Sequence, residues 1–282
     1  KNKKPGKTKS DHFVGNFYVL YHQKLKEKPE LEEEVKEMLR KWEDGDKKVM
    51  TLWKKINNWT LLGIKETYKS FGSKFDLWPM ESQFYNKAKP IIKEGLEKGI
   101  FSKDEKGNIA AKLEPLPNKV ILRSDGTSLY ITNDLALTWY RFEKLHADRV
   151  IWVVASEQNL HFKQLFKIFE LLGYQWSKNC YHLSYGIVNL PGGKMKSREG
   201  RVVDADDLIE NVKNLAKNEL KKRYKLSKKS LEDRALKIAL AAIKYYLLSL
   251  EPIKDIMFDP EKAISFEGDT GPYLLYTYAR AN

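Results

Sequence analysis

The chain has 282 residues, 42% of them hydrophobic and 12% aromatic, with a formal net charge of +13 and a pI near 9.4. That length and composition support a packed core and exclude a disordered or fibrous chain. A single cysteine, Cys180, and scattered histidines exclude a disulfide framework and a structural zinc site, and no apolar run reaches membrane-spanning length. The compartment expected from this cysteine usage is the cytoplasm, and the cation excess favours polyanionic partners, whether nucleic acid or nucleotide.

Residues 1–10 are basic and polar and read as a linker with no secretory leader. Residues 11–23 gather Phe13, Val14, Phe17, Val19, Leu20 and Tyr21 into one apolar segment. A helix is expected over 29–41, where acids come early and bases late, as the helix dipole favours. Two more are expected over 46–57 and 60–71, the second capped by Thr60 and stopped by Gly72. Residues 75–85 read as a short strand and loop, 87–98 as a helix ended by Gly99, and 109–122 as irregular. Asp125-Gly126 between two apolar runs predicts a hairpin over 120–131. A helix capped by Thr132 or Asn133 should run to about His146.

Residues 149–155 (RVIWVVA) form an unbroken apolar run of strand length, the pattern of a central parallel strand. A helix over 159–172 ended by Gly173 and a strand over 181–188 complete a strand–helix–strand unit of a doubly wound sheet. In such sheets ligands sit beyond the carboxyl ends of the strands. Ser156-Glu157-Gln158 falls at one such end. At the other lies the loop over 192–200, GGKMKSREG, whose glycines and cations suit a polyphosphate as well as they suit a solvated basic hairpin. From Asp204 onward the pattern is helical, over 204–224, 231–248 and 271–282, with a connector over 260–268.

Several of these segments together carry a family signature. Gly193-Lys194-Met195-Lys196-Ser197-Arg198 resembles the KMSKS loop of class I aminoacyl-tRNA synthetases. Leu122 to Thr127, Tyr130 to Asp134, Leu160 to Leu165, Gly268 to Tyr273 and Tyr278 to Arg280 resemble, in order, segments of arginyl-tRNA synthetases. The fold this implies is α/β: the C-terminal half of a Rossmann-type (HUP-like) parallel-sheet catalytic domain with inserted helices, followed by an α-helical stem. The expected boundaries are a linker at 1–10, partial catalytic domain at 11–203 with the insertion at about 29–72, and the stem at 204–282 leading into an anticodon-binding domain.

The resemblance also implies activation of L-arginine by ATP, with Mg²⁺ on the phosphates, and transfer to tRNA-Arg by an enzyme that is monomeric at full length and needs no membrane. Tyr130, Asp134 and Gln158 would bind the amino acid. Glu157, His161, Val188, Met195 and Ser197 would contact ATP. Lys194, Lys196 and Arg198 would stabilise the departing pyrophosphate, with no protein-held metal. From the residues alone, Asp134 reads equally as a helix-start acid, Glu157 and Gln158 as helix-capping polar residues, and His161 with Gln164 as a packed pair. Ser197 stands where the loop's second lysine is usual, which leaves open whether Lys196 replaces it. No HIGH-type motif is present, so the family's phosphate-binding first βα unit is expected to precede residue 1 and the piece to be inactive alone. Two other readings stay open: a non-catalytic tRNA-binding relative, and another class I-like nucleotidyl transferase.

Overall fold

Side-chain caps and left-handed glycines set the limits of several of the helices. The computed structural model describes residues 4–84, 87–189 and 204–282. These fall into two units, one built from 1–75, 189–249 and 257–282, the other from 76–188 and 250–256.

The first unit is helical. Its leading elements are α1 (Ser10–Glu27), α2 (Leu31–Glu43) and α3 (Lys47–Phe71). Asp46 caps α3, accepting from the backbone N–H of Lys48 and Val49 at 3.0 and 2.9 Å. Gly72, at φ 72°, ends it with paired bonds from Gly72 and Ser73 to the carbonyls of Lys69 and Tyr68. The expected break between 57 and 60 is absent, and α3 is one helix of 25 residues. The polar residues at that point bond back within the helix: Asn57 Nδ2 donates to the Trp53 carbonyl at 3.0 Å and Thr60 Oγ1 to that of Ile56 at 3.1 Å. Bonded to the fourth residue back, Thr60 does not cap. α1 packs on α3 through Phe13 and Trp59, ring centroids 5.6 Å apart, and through a close approach of Asp11 to Gly63.

The same unit holds α7 (Ala205–Arg223), α8 (Lys228–Leu248), α9 (Pro260–Ala263) and α10 (Gly271–Ala281). α8 buries Ala235, Ala239, Ala242 and Ile243, a small-residue face against which neighbouring backbones come close. Gly271 of α10 lies so near the Ala241 carbonyl that a Cβ there would stand 2.1 Å from its oxygen.

The second unit carries the sheets. After α4 (Lys89–Glu97), β1 (Phe101–Lys103), β2 (Ile109–Ala111) and β3 (Lys119–Leu122) form an antiparallel meander. The stretch expected to be irregular therefore holds two strands, paired Ile109 to Leu122 and Ala110 to Val120. The stretch expected to start with a strand, 75–85, shows in its described part only a 3₁₀ turn at Glu81–Gln83. The Asp125-Gly126 turn forms, with Gly126 at φ 83° and Arg123 N–H on the Thr127 carbonyl at 3.1 Å. Its second strand stops at one bridge, Leu122 to Ser128, and the chain turns into α5 (Tyr130–Glu143). Thr132 directs that change: its hydroxyl accepts from Leu129 N–H at 2.9 Å and donates to the Ile121 carbonyl. It acts three residues inside the helix end rather than as the expected cap.

β4 (Val150–Ala155) and β5 (Cys180–Tyr185) lie parallel, Val150 opposite Cys180 through Ala155 opposite Tyr185. α6 (Asn159–Leu172) joins them and ends at Gly173, φ 89°, so the strand–helix–strand unit expected over 149–188 is present, its second strand closing at Tyr185. Phe162, Leu165, Ile168, Phe169 and Leu172 of α6 enter one core with Phe101, Ile121, Ile131, Leu135 and Trp152. Each such side chain contributes about 1.5–3 kcal/mol by leaving water. Val150 and Trp152 on one face of β4 are buried, with Phe162 and Phe166 of α6 packed on the Trp152 ring, centroids 5.9 and 5.0 Å away. Ile151 and Val153 on the other face are 51% and 62% exposed, where the apolar run predicts burial on both sides. Beyond β5, β6 (Val188–Asn189) pairs with β7 (Ile256–Met257).

Candidate functional site

The site is assembled from helix starts and strand ends. Tyr130 is the first residue of α5 and is 79% exposed. Asp134 follows one turn later, so the two side chains project from the same face. β4 ends at Ala155, and the 3₁₀ turn Ser156–Gln158 leads directly into α6. Glu157 and Gln158 on that turn are exposed, and Gln158 makes no side-chain cap bond to α6. This leaves its amide available to a ligand at the carboxyl end of a parallel strand, where doubly wound sheets bind their substrates.

His161 lies in the first turn of α6, and its Nε2 is 2.7 Å from Oδ2 of Asp134. An ionised carboxylate only accepts, so the imidazole donates. This links the helices flanking β4 through residues 27 apart in sequence. Nothing local in the sequence marks it; the two are polar positions near the starts of separate helices. Gln164, grouped with His161 by spacing, is buried and donates to the Pro117 carbonyl at 2.8 Å, which makes it a structural link.

Arg141, two turns along α5 from Asp134, is a half-buried cation of this region. Burial lowers its pKa, and the charge of Asp134 opposes that shift. Its guanidinium lies 5.5 Å from the Trp152 ring centre. Cys180 on β5 is also near; burial pushes its thiol up to about 12, against the pull of Arg141, so it is neutral at physiological pH. His182, next on β5, places Nε2 2.8 Å from the Val154 carbonyl, and its ring centre is 4.4 Å from that of Phe162.

Val188 opens β6. The carbonyl of Ile187 before it accepts from Ile256 N–H at 2.9 Å. Successive carbonyls of a strand point to opposite edges, which turns that of Val188 away from β7. Lys194, Met195, Lys196, Ser197 and Arg198 lie outside the described residues.

A separate polar knot occupies the helical unit. Lys9 Nζ donates to Asp11 at 3.0 Å, to Thr67 and to Asp206, and His12 Nε2 is 3.1 Å from Asp206. Asp11, His12 and Asp206 offer three ligand atoms within reach of one cation. Lys9 already sits on both carboxylates: burial works against its charge, but its bonds to Asp206 and Asp11 outweigh that and its pKa is raised. The donor set is thus satisfied internally and does not fit a metal ion. A cleft of about 1160 Å³ adjoins the knot, and none of the candidate site residues lines it.

The family model described as tRNA synthetases class I (R), catalytic domain, matches residues 2–260. The chain is 48% identical over 279 residues to an arginine–tRNA ligase of Treponema denticola, covering 96% of this chain and 47% of that protein. It is 44% identical over 294 residues to that of Parabacteroides distasonis, covering 96% and 49%. The chain thus spans about half the length of the curated relatives it matches. Its fold matches the arginyl-tRNA synthetase structure of Thermus thermophilus with a TM-score of 0.81 at 25% identity, over 99% of this chain and 52% of that one. The Plasmodium falciparum structure matches at 0.77 and 20% identity, over 97% and 49%, which bears on the fold alone.

Proposed function

Because the chain belongs to the class I tRNA synthetases, in the family of arginine-specific catalytic domains, we propose that its protein is an arginine–tRNA ligase. The observation that carries this reading is Tyr130 and Asp134 one turn apart on one face at the start of α5, with Asp134 bonded to His161, three residues past Gln158 at the end of β4. A carboxylate gives a guanidinium a planar, two-oxygen acceptor, and a tyrosine adds a ring face and a hydroxyl. Gln158 offers an uncharged amide for the amino acid's polar end.

In this reading the arginine carboxylate attacks the α-phosphate of ATP in line. Arginyl-adenylate forms as pyrophosphate leaves, and a hydroxyl of the terminal ribose of tRNA-Arg then takes the arginyl group as AMP leaves. The protein supplies position and charge rather than a nucleophile. Lys194, Lys196 and Arg198 neutralise the leaving pyrophosphate. Glu157, Met195, Ser197 and the backbone of Val188 hold the nucleotide. Mg²⁺ enters on the ATP phosphates as part of the substrate. The protein acts as a cytoplasmic monomer, with the domain boundaries set out above from the sequence.

The test is arginine-dependent ATP–pyrophosphate exchange, with and without tRNA-Arg. It is run on the 282-residue chain and on the chain joined to a family segment carrying the HIGH-type βα unit. Exchange that requires arginine and appears only in the joined form supports the reading. Arginine binding without exchange in either form moves the assignment to a non-catalytic relative.

A further inference from the structure

Asp134 is already engaged before any ligand arrives. Its Oδ2 accepts from the His161 Nε2–H at 2.7 Å, while its side chain stays 31% exposed and that of His161 only 16%. The carboxylate therefore has one oxygen fixed by a half-buried imidazole and its remaining lone pairs turned to the open side of α5. From this geometry we infer that His161 positions Asp134 for a guanidinium ligand, and that an imidazolium at His161 and a guanidinium compete for the charge of that carboxylate. The inference rests on the arginine-binding reading of the site.

The physical argument is electrostatic. A neutral imidazole donates one N–H, locks the carboxylate rotamer and leaves its full negative charge for the ligand. An imidazolium in the same place neutralises that charge, and an arriving guanidinium then meets a carboxylate already paired with a cation. The other groups around the pair do not supply such a switch. Arg141 on α5 stays cationic at every relevant pH and adds a constant field, and the Cys180 thiol on β5 is neutral there. His182 on β5 has its Nε2 at the Val154 carbonyl and its ring against Phe162, not against Asp134. Glu157 and Lys163, which flank His161 along the chain, are exposed and screened by solvent. Histidine changes charge between pH 5 and 8, a range in which the net charge of free arginine is constant.

The experiment measures L-arginine binding to the 282-residue chain by calorimetry from pH 5.5 to 8, and follows the His161 imidazole by ¹H–¹⁵N NMR over the same range. Arginine affinity is expected to fall about tenfold toward the acid end, and saturating arginine to lower the His161 titration midpoint by about one pH unit, the same coupling read from its other side. His161→Gln, whose amide still donates but carries no charge, should retain the alkaline affinity and lose the pH dependence. His161→Ala should lose affinity at every pH. Equal pH profiles in the parent and His161→Gln, or a His161 midpoint indifferent to saturating arginine, overturn the inference while leaving the arginine site standing. Absence of arginine binding at any pH, with the chain folded by circular dichroism, overturns both.

Discussion

Single side chains decide most at the candidate site. Tyr130 is open to solvent while Asp134 is held, an arrangement suited to a ligand that meets the ring first and the carboxylate second. Asp134→Asn, in a form competent for exchange, should raise the arginine KM about 10- to 100-fold, the worth of a charge-assisted bidentate bond, and leave the ATP KM within about twofold. Parallel rises in both constants would remove Asp134 from guanidinium recognition. Away from the site, Glu94 offers a residue-scale test of stability. It accepts from Lys98 Nζ at 2.7 Å and from Tyr174 OH at 2.8 Å. Burial alone would raise its pKa, but these bonds outweigh burial and hold it below its ordinary 4.5. A depressed carboxyl contributes stability that is complete above its unfolded pKa and is lost as pH falls through the folded one. Urea midpoints should thus drop below about pH 4.5 in the parent, and Glu94→Gln should be less stable at pH 7 with a shallower acid loss. Identical acid profiles would discard the coupling.

At the scale of elements, close approach between helices makes a sharper prediction. A Cβ on Gly63 would stand 2.2 Å from Asp11 Oδ1, whereas one on Gly15 of α1 meets nothing within 4 Å. Both glycines are inside helices, where alanine is intrinsically favoured by about 1 kcal/mol. Gly15→Ala should therefore stabilise the fold, and Gly63→Ala should destabilise it by about 1–3 kcal/mol, because Asp11 is tied to Lys9 and cannot swing away freely. Equal thermal shifts in the two variants would mean that α1 does not pack on α3 at Gly63. This scale also separates what sequence reveals from what it hides. The stops at Gly72, Gly99 and Gly173 and the order β4–α6–β5 are legible because capping and apolar runs are local. The meander β1–β2–β3 is not, since strands of three and four residues owe their existence to partners rather than to propensity. The continuity of α3 is hidden for a related reason: Thr60 is a good cap in isolation and a tolerable helix residue once its hydroxyl bonds back to Ile56. Tyr130, Asp134 and Gln158 could be nominated through a family likeness, but the hydrogen bond between Asp134 and His161 is a tertiary fact with no local trace.

The charge of the whole molecule sets how it meets a polyanion. A net +13 attracts any polyanion, but much of the cationic surface is already answered locally. On α2, Lys36 lies 2.7 Å from Glu33 and Arg40 3.1 Å from Glu37, and on α7 Lys213 lies 3.1 Å from Glu210. Such pairs add a few tenths of a kcal/mol to a helix and leave little field beyond it. Lys221 and Lys225, at the end of α7 and just past it, are exposed and carry no ion pair among the described residues. If the protein binds tRNA through its phosphates, the logarithm of affinity should fall linearly with the logarithm of salt, with a slope near 0.9 for each phosphate neutralised on a duplex. Replacing Lys221 and Lys225 together by alanine should lower that slope by up to about two, roughly one unit for each phosphate no longer neutralised. Replacing Lys36 and Arg40 should leave it unchanged, because their charges are already balanced by Glu33 and Glu37. Filter binding of tRNA-Arg between low and physiological salt distinguishes these outcomes. A slope indifferent to the α7 lysines would move the phosphate-binding surface to another face, and an affinity flat in salt would exclude phosphate-driven binding altogether.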